Sequence, residues 1–579
     1  MYWVPLLTAL ALWLAGHAVL AALFPRRPRS ALERHGTALL LGLAVVPALY
    51  AAAGVWLPAP ASPGVLGGRI LLGAGALLGA VALLRGRAPR LARQPGPRPG
   101  AGVVLGTVLA VALAAFAVVY AATQPVWGFD STYHFAYKGR LLFHEGIGGA
   151  GWTDMEDAVG RILTHPRYPP GLPALQALAG SVTGTFDADV ARPLHALFVL
   201  GPAALLAAGL RGAGRGAAVA GALLWLGLPF VYYTGLTASD LGFALSGLLL
   251  GPEAAARYDP EAPAWVLPTG WNLDGAPDVP LAALLLGAFV HAWRLLPSSG
   301  QPADRADGAI AGLLLGGAVL CKNEGLALGA VMVLALGLAA LLARLAGRPA
   351  AAAGRPSPWV GLGLGLALAA LLSGSWLAAR GALPDIDENY PRQLAALPDN
   401  LALFGNTGFI LRAFQACYFP FLAPGTRDLA LLWPLPFLAL FWLLGGPRRP
   451  LRGRTLLLAL VLVLAGAAAL YLTAPVARQL SLRALFRWSL VWPLFFAALA
   501  AALARPRALL AHPALAPVLM VLGCTALYYV ILVATPWDLK KLFDTLIPDR
   551  LVLHYTPIGI LAAVLLVARR PAAPPAPPE

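Results

Sequence analysis

Charged residues are scarce in this chain of 579 residues. They make up 12% of it, whereas 59% of the residues are hydrophobic and the mean hydropathy is +0.74. A soluble domain carries about 25% charged residues, so a water-facing surface over a chain of this size is excluded. Cysteine is scarce as well, with three residues, all in or near apolar segments. This number and placement predict neither a disulfide framework nor a cysteine metal site.

In place of charge the chain has long apolar runs of roughly 18 to 24 residues, the length that crosses about 30 Å of hydrocarbon. The runs are rich in Leu, Ala and Gly and lack the alternation of barrel strands, which favours helices. We therefore predict an all-α, polytopic transmembrane helix bundle of about 13 to 15 spans, with extracytoplasmic loops that carry juxtamembrane helices. The predicted spans are 3–24, 36–57, 66–84, 101–122, 192–210, 216–234, 279–297, 308–321, 325–343, 357–379, 428–445, 454–473, 484–504, 513–535 and 551–569.

Arginines mark one side of this topology. All but four of the 42 basic residues are arginine, and most lie in the short, alternate loops between spans. The positive-inside rule makes these loops cytoplasmic, so the N-terminus is predicted outside and the C-terminus inside an inner (plasma) membrane. All but four of the 26 acidic residues fall in the other, longer loops. Basic residues scattered in this way indicate topology, and nucleic acid is not predicted as a partner.

The chain order suggests four parts. Residues 1–84 hold the first three spans and are predicted to form an appended transmembrane module. The Pro/Gly/Arg-rich stretch 85–100 is predicted to be a cytoplasmic linker, residues 101–570 the main unit, and 571–579 a disordered cytoplasmic tail. The run 3–24 has no basic region before it and two arginines soon after it, so a retained span is favoured over a signal peptide.

The first long outer loop contains TQPVWGFDSTYHFAYKGRLLFHEG. Residues 131–145 are predicted to form an amphipathic helix in the interface, and 169–183 a juxtamembrane or re-entrant helix. Asp130 lies where the preceding span leaves the membrane, next to Trp127 of the aromatic belt. Two interpretations of Asp130 stay open: the solvated end of a helix, or a general base beside a lipid-borne substrate.

Several segments in this order resemble a known family. They are WGFDSTYHFAYKGRLLF, HPRYPPGLPALQAL, GAPDVPLAALLLGAF, GAVLCKNEGLALGA and TPWDLKKLFDTLIPDRLVLHYTP. Together they resemble the GT-C membrane glycosyltransferases, in particular the bacterial group similar to dolichyl-phosphate-mannose protein mannosyltransferases and lipid A aminoarabinose transferases. The likeness covers about residues 100–570, and the KNEG and TPWDL…DRLVLH segments are its most specific parts.

The resemblance implies transfer of a sugar from a polyprenyl-phosphate carrier to a hydroxyl of a lipid, polysaccharide or protein on the extracytoplasmic face. It implies an essential acid in the first outer loop, and Asp130 is the matching position. Ser131 follows it where the protein mannosyltransferases have Glu, which argues against a protein acceptor. The family's later acidic motif matches Asp278-Val279-Pro280-Leu281; Asp240 competes for this role, and Asp278 is favoured.

Glycosyl transfer from a lipid phosphate requires a base or orienting carboxylate, cations for the departing phosphate and a polar site for the sugar. Asp130 and Asp278 are the predicted catalytic acids. The predicted substrate-binding residues are Lys138, Tyr168, Lys322, Glu324, Arg550 and Asp240, and Arg140, Lys540 and Lys541 are further outer cations.

Two of these assignments have plain alternatives. The Lys322-Asn323-Glu324 turn is either an ion-paired connection between two helices or a site with Lys322 near the phosphate and Glu324 near the sugar. His134 and His165, with Asp130 or Glu145, offer ligands for a divalent cation, but their spacing matches no metal motif, and no metal residue is assigned.

Two other functions compete with the enzyme. A transporter or flippase is disfavoured because the charges lie at the outer edge and no inverted repeat is visible. A non-catalytic scaffold of the same fold is the remaining alternative.

Overall fold

The computed structural model describes residues 3–23, 30–56, 64–85, 99–123, 130–147, 165–228, 231, 276–301, 305–346, 358–383, 395, 418, 491–534 and 547–568. Every regular element within these ranges is a helix, and none of them contains a strand, which confirms the all-α prediction for this part of the chain. Asp240, Lys540, Lys541, the predicted spans 428–445 and 454–473 and the tail 571–579 lie outside the described residues.

The helices follow in chain order. The α-helices are α1 (Trp3–Leu23), α2 (Ala31–Trp56), α3 (Gly64–Arg85), α4 (Ala101–Thr123), α5 (Tyr137–His144), α6 (Gly171–Thr183), α7 (Ala188–Ala191), α8 (Leu197–Gly209), α9 (Arg215–Leu226), α10 (Asp278–Arg294), α11 (Arg305–Cys321), α12 (Glu324–Leu345), α13 (Pro358–Arg380), α14 (Val491–Leu503), α15 (Pro506–Leu510), α16 (Leu515–Ala534), α17 (Ile547–Leu553) and α18 (Thr556–Val567). A π-helix (Asp130–Ala136) precedes α5, and 3₁₀ turns occupy Arg192–Ala196, Arg211–Ala213 and Pro297–Ser299.

Eight helical stretches in the described ranges are long and apolar enough to cross a bilayer. They are α1, α2, α3, α4, the run from α7 through α8, α12, α13 and α16. Shorter apolar helices include α9, most of α14 and α18. The chain is therefore a multi-pass, helical membrane protein, and the total of 13 to 15 spans stays a prediction.

One predicted span is broken in the structure. The sequence predicted a single helix over 551–569, but α17 ends at Leu553 and α18 begins at Thr556. Pro557, near the start of α18, lacks the N–H that a continuous helix would direct at the Leu553 carbonyl, and its ring crowds that carbonyl. His554 lies in this break, within hydrogen-bond reach of α10.

The first three helices share a core with later ones. α2 packs against α1, α6, α8, α11 and α13, and α3 packs against α1 and α6. The packing of α2 is thus continuous with that of the main unit. The division of the chain at 85–100 stays a prediction about chain order.

Glycines allow two helices to approach at backbone distance. Gly308 and Gly312 of α11 lie one turn apart on the face that meets Gly361 and Gly365 of α13. A Cβ atom on Gly312 would lie 1.8 Å from the carbonyl oxygen of Gly365, and one on Gly308 would lie 2.0 Å from that of Gly361. Small residues at four-residue spacing are typical of membrane helices that gain stability from close van der Waals packing.

Helix α10 lies in the centre of the bundle, and all of its residues are buried. It begins with the carboxylate of Asp278 and ends with the guanidinium of Arg294, about 24 Å away along the helix axis at 1.5 Å per residue. Because isolated charges are costly in such surroundings, both ends must find partners on neighbouring helices.

Candidate functional site

The first residue of α10, Asp278, has no solvent-exposed surface. Its Oδ1 accepts hydrogen bonds from Lys322 Nζ at 2.9 Å and from His554 Nε2 at 2.7 Å. Its Oδ2 accepts a hydrogen bond from Arg550 Nε at 2.9 Å, and Arg550 Nη2 lies 2.9 Å from the same oxygen in an ion pair. The position at a helix N-terminus adds the attraction of the helix dipole for a negative charge.

Two separate segments bring these partners to Asp278. α11 runs antiparallel to α10 after a short connection, so its C-terminal end returns to the start of α10 and places Lys322 there. Arg550 lies on α17, and His554 follows it by four residues, a spacing that puts both side chains on one side of the chain. The cluster thus joins residues that are 44, 272 and 276 positions apart.

Lys322 is shared by two carboxylates. Its Nζ lies 2.9 Å from Asp278 Oδ1 and 3.0 Å from Oε1 of Glu324, the first residue of α12. Burial alone lowers the pKa of Lys322, but the charges of Asp278 and Glu324 outweigh it and raise the pKa above its ordinary value. Lys322 is therefore cationic at neutral pH.

His554 links Asp278 to a second buried side chain, Tyr528 of α16. Because the Asp278 carboxylate can only accept, the proton of a neutral His554 ring is on Nε2. Nδ1 then accepts a hydrogen bond from the Tyr528 hydroxyl, which lies in contact with it. The direction of both bonds is fixed by the chemistry of the carboxylate. We call Asp278, Lys322, Glu324, Tyr528, Arg550 and His554 the Asp278 cluster.

Three hydrogen bonds and the ion-pair contact with Arg550 Nη2 occupy both oxygens of the Asp278 carboxylate. Asp278 is therefore suited to hold Lys322 and Arg550 in place and is poorly suited to take a proton from a substrate. The side chains of Lys322, Glu324 and Arg550 are 9%, 10% and 12% exposed, whereas that of Asp278 is 0% exposed. A ligand can thus approach the two cations and Glu324, with Asp278 behind them.

A second group of predicted residues lies around the π-helix and α5. Phe135 and Leu142 are buried, and Arg140 is exposed. Lys138, however, is fully buried; its Nζ donates to the His165 carbonyl and lies 5.5 Å from the ring centre of Tyr168. The segment therefore does not lie in the membrane interface alone, because α5 packs against helix α6.

Aromatic rings cover Lys138. His165 stacks on Tyr168 with 4.5 Å between ring centres, and His134 lies 4.5 Å from His165. Within the described residues no three or more His, Cys, Asp or Glu side chains are grouped as metal ligands would be. Asp130 begins the π-helix of this group. π-helices are rare and often occur at functional positions.

The two groups lie at the same end of the bundle. α6 begins three residues after Tyr168, and a Cβ atom on its first residue, Gly171, would lie 2.5 Å from the carbonyl oxygen of Leu320. Leu320 is two residues before Lys322 in the chain. Lys138 and Tyr168 therefore belong to the neighbourhood of the Asp278 cluster.

The opposite end of α10 carries another buried ionic network. Arg294 forms ion pairs with Glu33 of α2 and Asp307 of α11, and His291 Nδ1 lies 2.9 Å from Asp307 Oδ1. The other ring nitrogen of His291 lies 3.0 Å from the Thr37 hydroxyl. Glu33 and Asp307 are two of the four acidic residues outside the longer loops, and they lie at the end of α10 opposite Asp278. We call these five residues the Arg294 cluster.

Sequence reasoning missed His554 and Tyr528. The four-residue spacing from Arg550 to His554 was visible in DRLVLH, but it has no meaning until Asp278 is known to face it. Tyr528 lies in an apolar run without any polar pattern, so nothing in the sequence distinguished it.

Comparison with protein-family models, with curated proteins and with solved structures finds no match for this chain.

Proposed function

We propose that the chain is an integral membrane glycosyltransferase that moves a sugar from a polyprenyl-phosphate carrier to a hydroxyl of a cell-envelope lipid, polysaccharide or protein. The observation that carries the proposal is the Asp278 cluster: two cations, Lys322 and Arg550, held together at one end of a membrane bundle by a buried carboxylate. Reaction on the extracytoplasmic face, with the N-terminus outside, follows from the distribution of arginines.

Lys322 and Arg550 are the proposed phosphate ligands. The phosphate of a carrier lipid resides at the membrane surface, and it gains negative charge as the bond to the sugar breaks. Two cations fixed in advance stabilise that charge without reorganisation. Asp278 acts as a positioning residue, since removing it would leave both cations free to separate.

Asp130 is the proposed base for the acceptor hydroxyl. It begins the π-helix that leads into α5, on the side of the bundle where α6 meets α11. The carboxylate takes the proton of the hydroxyl as its oxygen attacks the anomeric carbon, and the phosphate leaves with the electron pair of the broken bond. Lys138, which is enclosed, and Tyr168 lie next to this segment.

A deletion strain tests the proposal. Its surface glycolipids and polysaccharides are compared with those of the parent by mass spectrometry. The proposal predicts that one sugar modification disappears and returns when the intact gene is supplied. An unchanged profile contradicts it and favours a non-catalytic scaffold or the second candidate.

The second candidate is a transporter or flippase of an anionic, lipid-linked or small solute. The observation in its favour is that α10 ends in a buried ionic network on both sides, the Asp278 cluster and the Arg294 cluster. A protein that opens alternately to each side needs closures at both ends of such a helix. Uptake of a labelled lipid-linked sugar into vesicles without glycan transfer would favour it.

A further inference from the structure

The charges of the Asp278 cluster balance. Two cations, Lys322 and Arg550, face two anions, Asp278 and Glu324, and His554 is neutral when its Nδ1 accepts from Tyr528. Asp278 is enclosed, so the carboxylate that an arriving ligand meets is Glu324. Glu324 occupies the first position of α12.

Hydrogen-bond capacity shows what each group still offers. Lys322 has three N–H donors, of which two point to Asp278 and Glu324, so among the described residues one remains for an anion. Glu324 contacts Lys322 through Oε1, and within the same part of the chain its second oxygen remains an acceptor for a hydroxyl. A phosphate oxygen on Lys322 would therefore have a carboxylate within a few ångströms.

We infer that Glu324 is a specificity-determining residue that selects a singly charged phosphodiester over a doubly charged phosphomonoester. A phosphodiester brings one negative charge to Lys322 and Arg550, and a hydroxyl beside it can donate to Glu324. A phosphomonoester brings a second charge that Glu324 repels. This inference rests on the proposed function for the location of the phosphate, and it adds a reason why a lipid phosphate would leave once its sugar is gone.

The experiment measures binding of two soluble probes to the full-length protein in detergent by calorimetry. The probes are citronellyl phosphate and its methyl ester, compared at about pH 8, where the phosphomonoester has lost its second proton, whose pKa is near 6. The variants are Glu324→Gln and Glu324→Asp. Glu33→Gln is the matched control, because it removes a glutamate paired with Arg294 at the far end of α10.

The parent is expected to bind the methyl ester more tightly, by about tenfold, the effect of one unit charge near a partly exposed carboxylate. Glu324→Gln should lose that preference because it binds the phosphomonoester more tightly than the parent does. Glu324→Asp and Glu33→Gln should keep the preference. Equal affinities in the parent, or an unchanged ratio in Glu324→Gln, overturn the inference alone. If the parent binds neither probe, the phosphate site of the proposed function is overturned together with it.

Discussion

Arg550 and Asp278 are separated by 272 residues in the chain, and yet the Arg550 Nε atom lies 2.9 Å from Oδ2 of Asp278. The guanidinium reaches the same oxygen through Nη2 at 2.9 Å. The pair connects α17 to the start of α10, and Lys322 and His554 meet the other carboxylate oxygen. One buried side chain thus holds together the last described helices and the centre of the bundle.

Replacing Asp278 with Asn should destabilise the protein strongly. The change leaves Lys322 and Arg550 buried without their shared counter-charge, and breaking a buried ion pair from one side costs about 3–5 kcal/mol. Thermal unfolding in detergent measures the effect, with the exposed Asp189→Asn as the control. Equal midpoints for the two variants would show that Asp278 does not hold the cluster.

Two substitutions at His554 should separate its hydrogen bond from its volume. His554→Leu removes the donor to Asp278 and leaves the Tyr528 hydroxyl buried without its partner, a loss of about 1–3 kcal/mol. His554→Gln places an amide N–H near the position of Nε2 and should recover part of that loss. Thermal midpoints of the two variants compare them directly. If Leu is as stable as Gln, the bond to Asp278 contributes nothing.

Two glycines of α13 provide a matched pair. A Cβ atom on Gly365 would lie 2.4 Å from the carbonyl oxygen of Gly308, whereas one on Gly363 meets nothing within 4 Å among the described residues. Gly365→Ala should therefore force α11 and α13 apart at a cost of about 1–3 kcal/mol. Gly363→Ala should be neutral or stabilise by about 0.5–1 kcal/mol through helix propensity. The opposite order of thermal midpoints would contradict the packing of these helices.

The sequence predicted which residues form the site better than it predicted how they pair. Asp278 was a candidate through the resemblance, Lys322 and Glu324 because they stand between two apolar segments, and Arg550 as an outer-face cation. The structure brings these four together. Their pairing depends on which ends of distant helices meet, and periodicity within one helix carries no such information. Bounds were predictable where a run is simply apolar, as for 169–183 against α6 at Gly171–Thr183. They failed at 551–569, where Pro557 decides the break.

Lys138 is a residue whose surroundings the sequence did not predict. Its position in an amphipathic segment predicted an outer-face cation, and in the structure it is enclosed by α5, His165 and Tyr168. Helical periodicity could not include a carbonyl oxygen from residue 165 as a partner for the ammonium. Such a partner comes from the loop before α6, which sequence pattern does not position.

The two ionic clusters of α10 should be energetically independent if the chain is an enzyme with one fixed active site. Asp278→Asn and Arg294→Gln change groups about 24 Å apart along the helix. Their effects on unfolding should then add within about 0.5 kcal/mol in a double-mutant cycle. An alternating transporter predicts a larger coupling, because closing one end of the helix is linked to opening the other.

The most direct measurement of the central claim is glycan transfer by the Asp130→Asn variant in the deletion strain. The variant keeps the size and polarity of the side chain but removes the proposed base, so we predict a folded, membrane-inserted protein that no longer restores the missing sugar modification. The exposed Asp189→Asn, expressed to the same level, should restore it fully. Full restoration by Asp130→Asn would contradict the assignment of Asp130 as the base and, with it, the proposed active site.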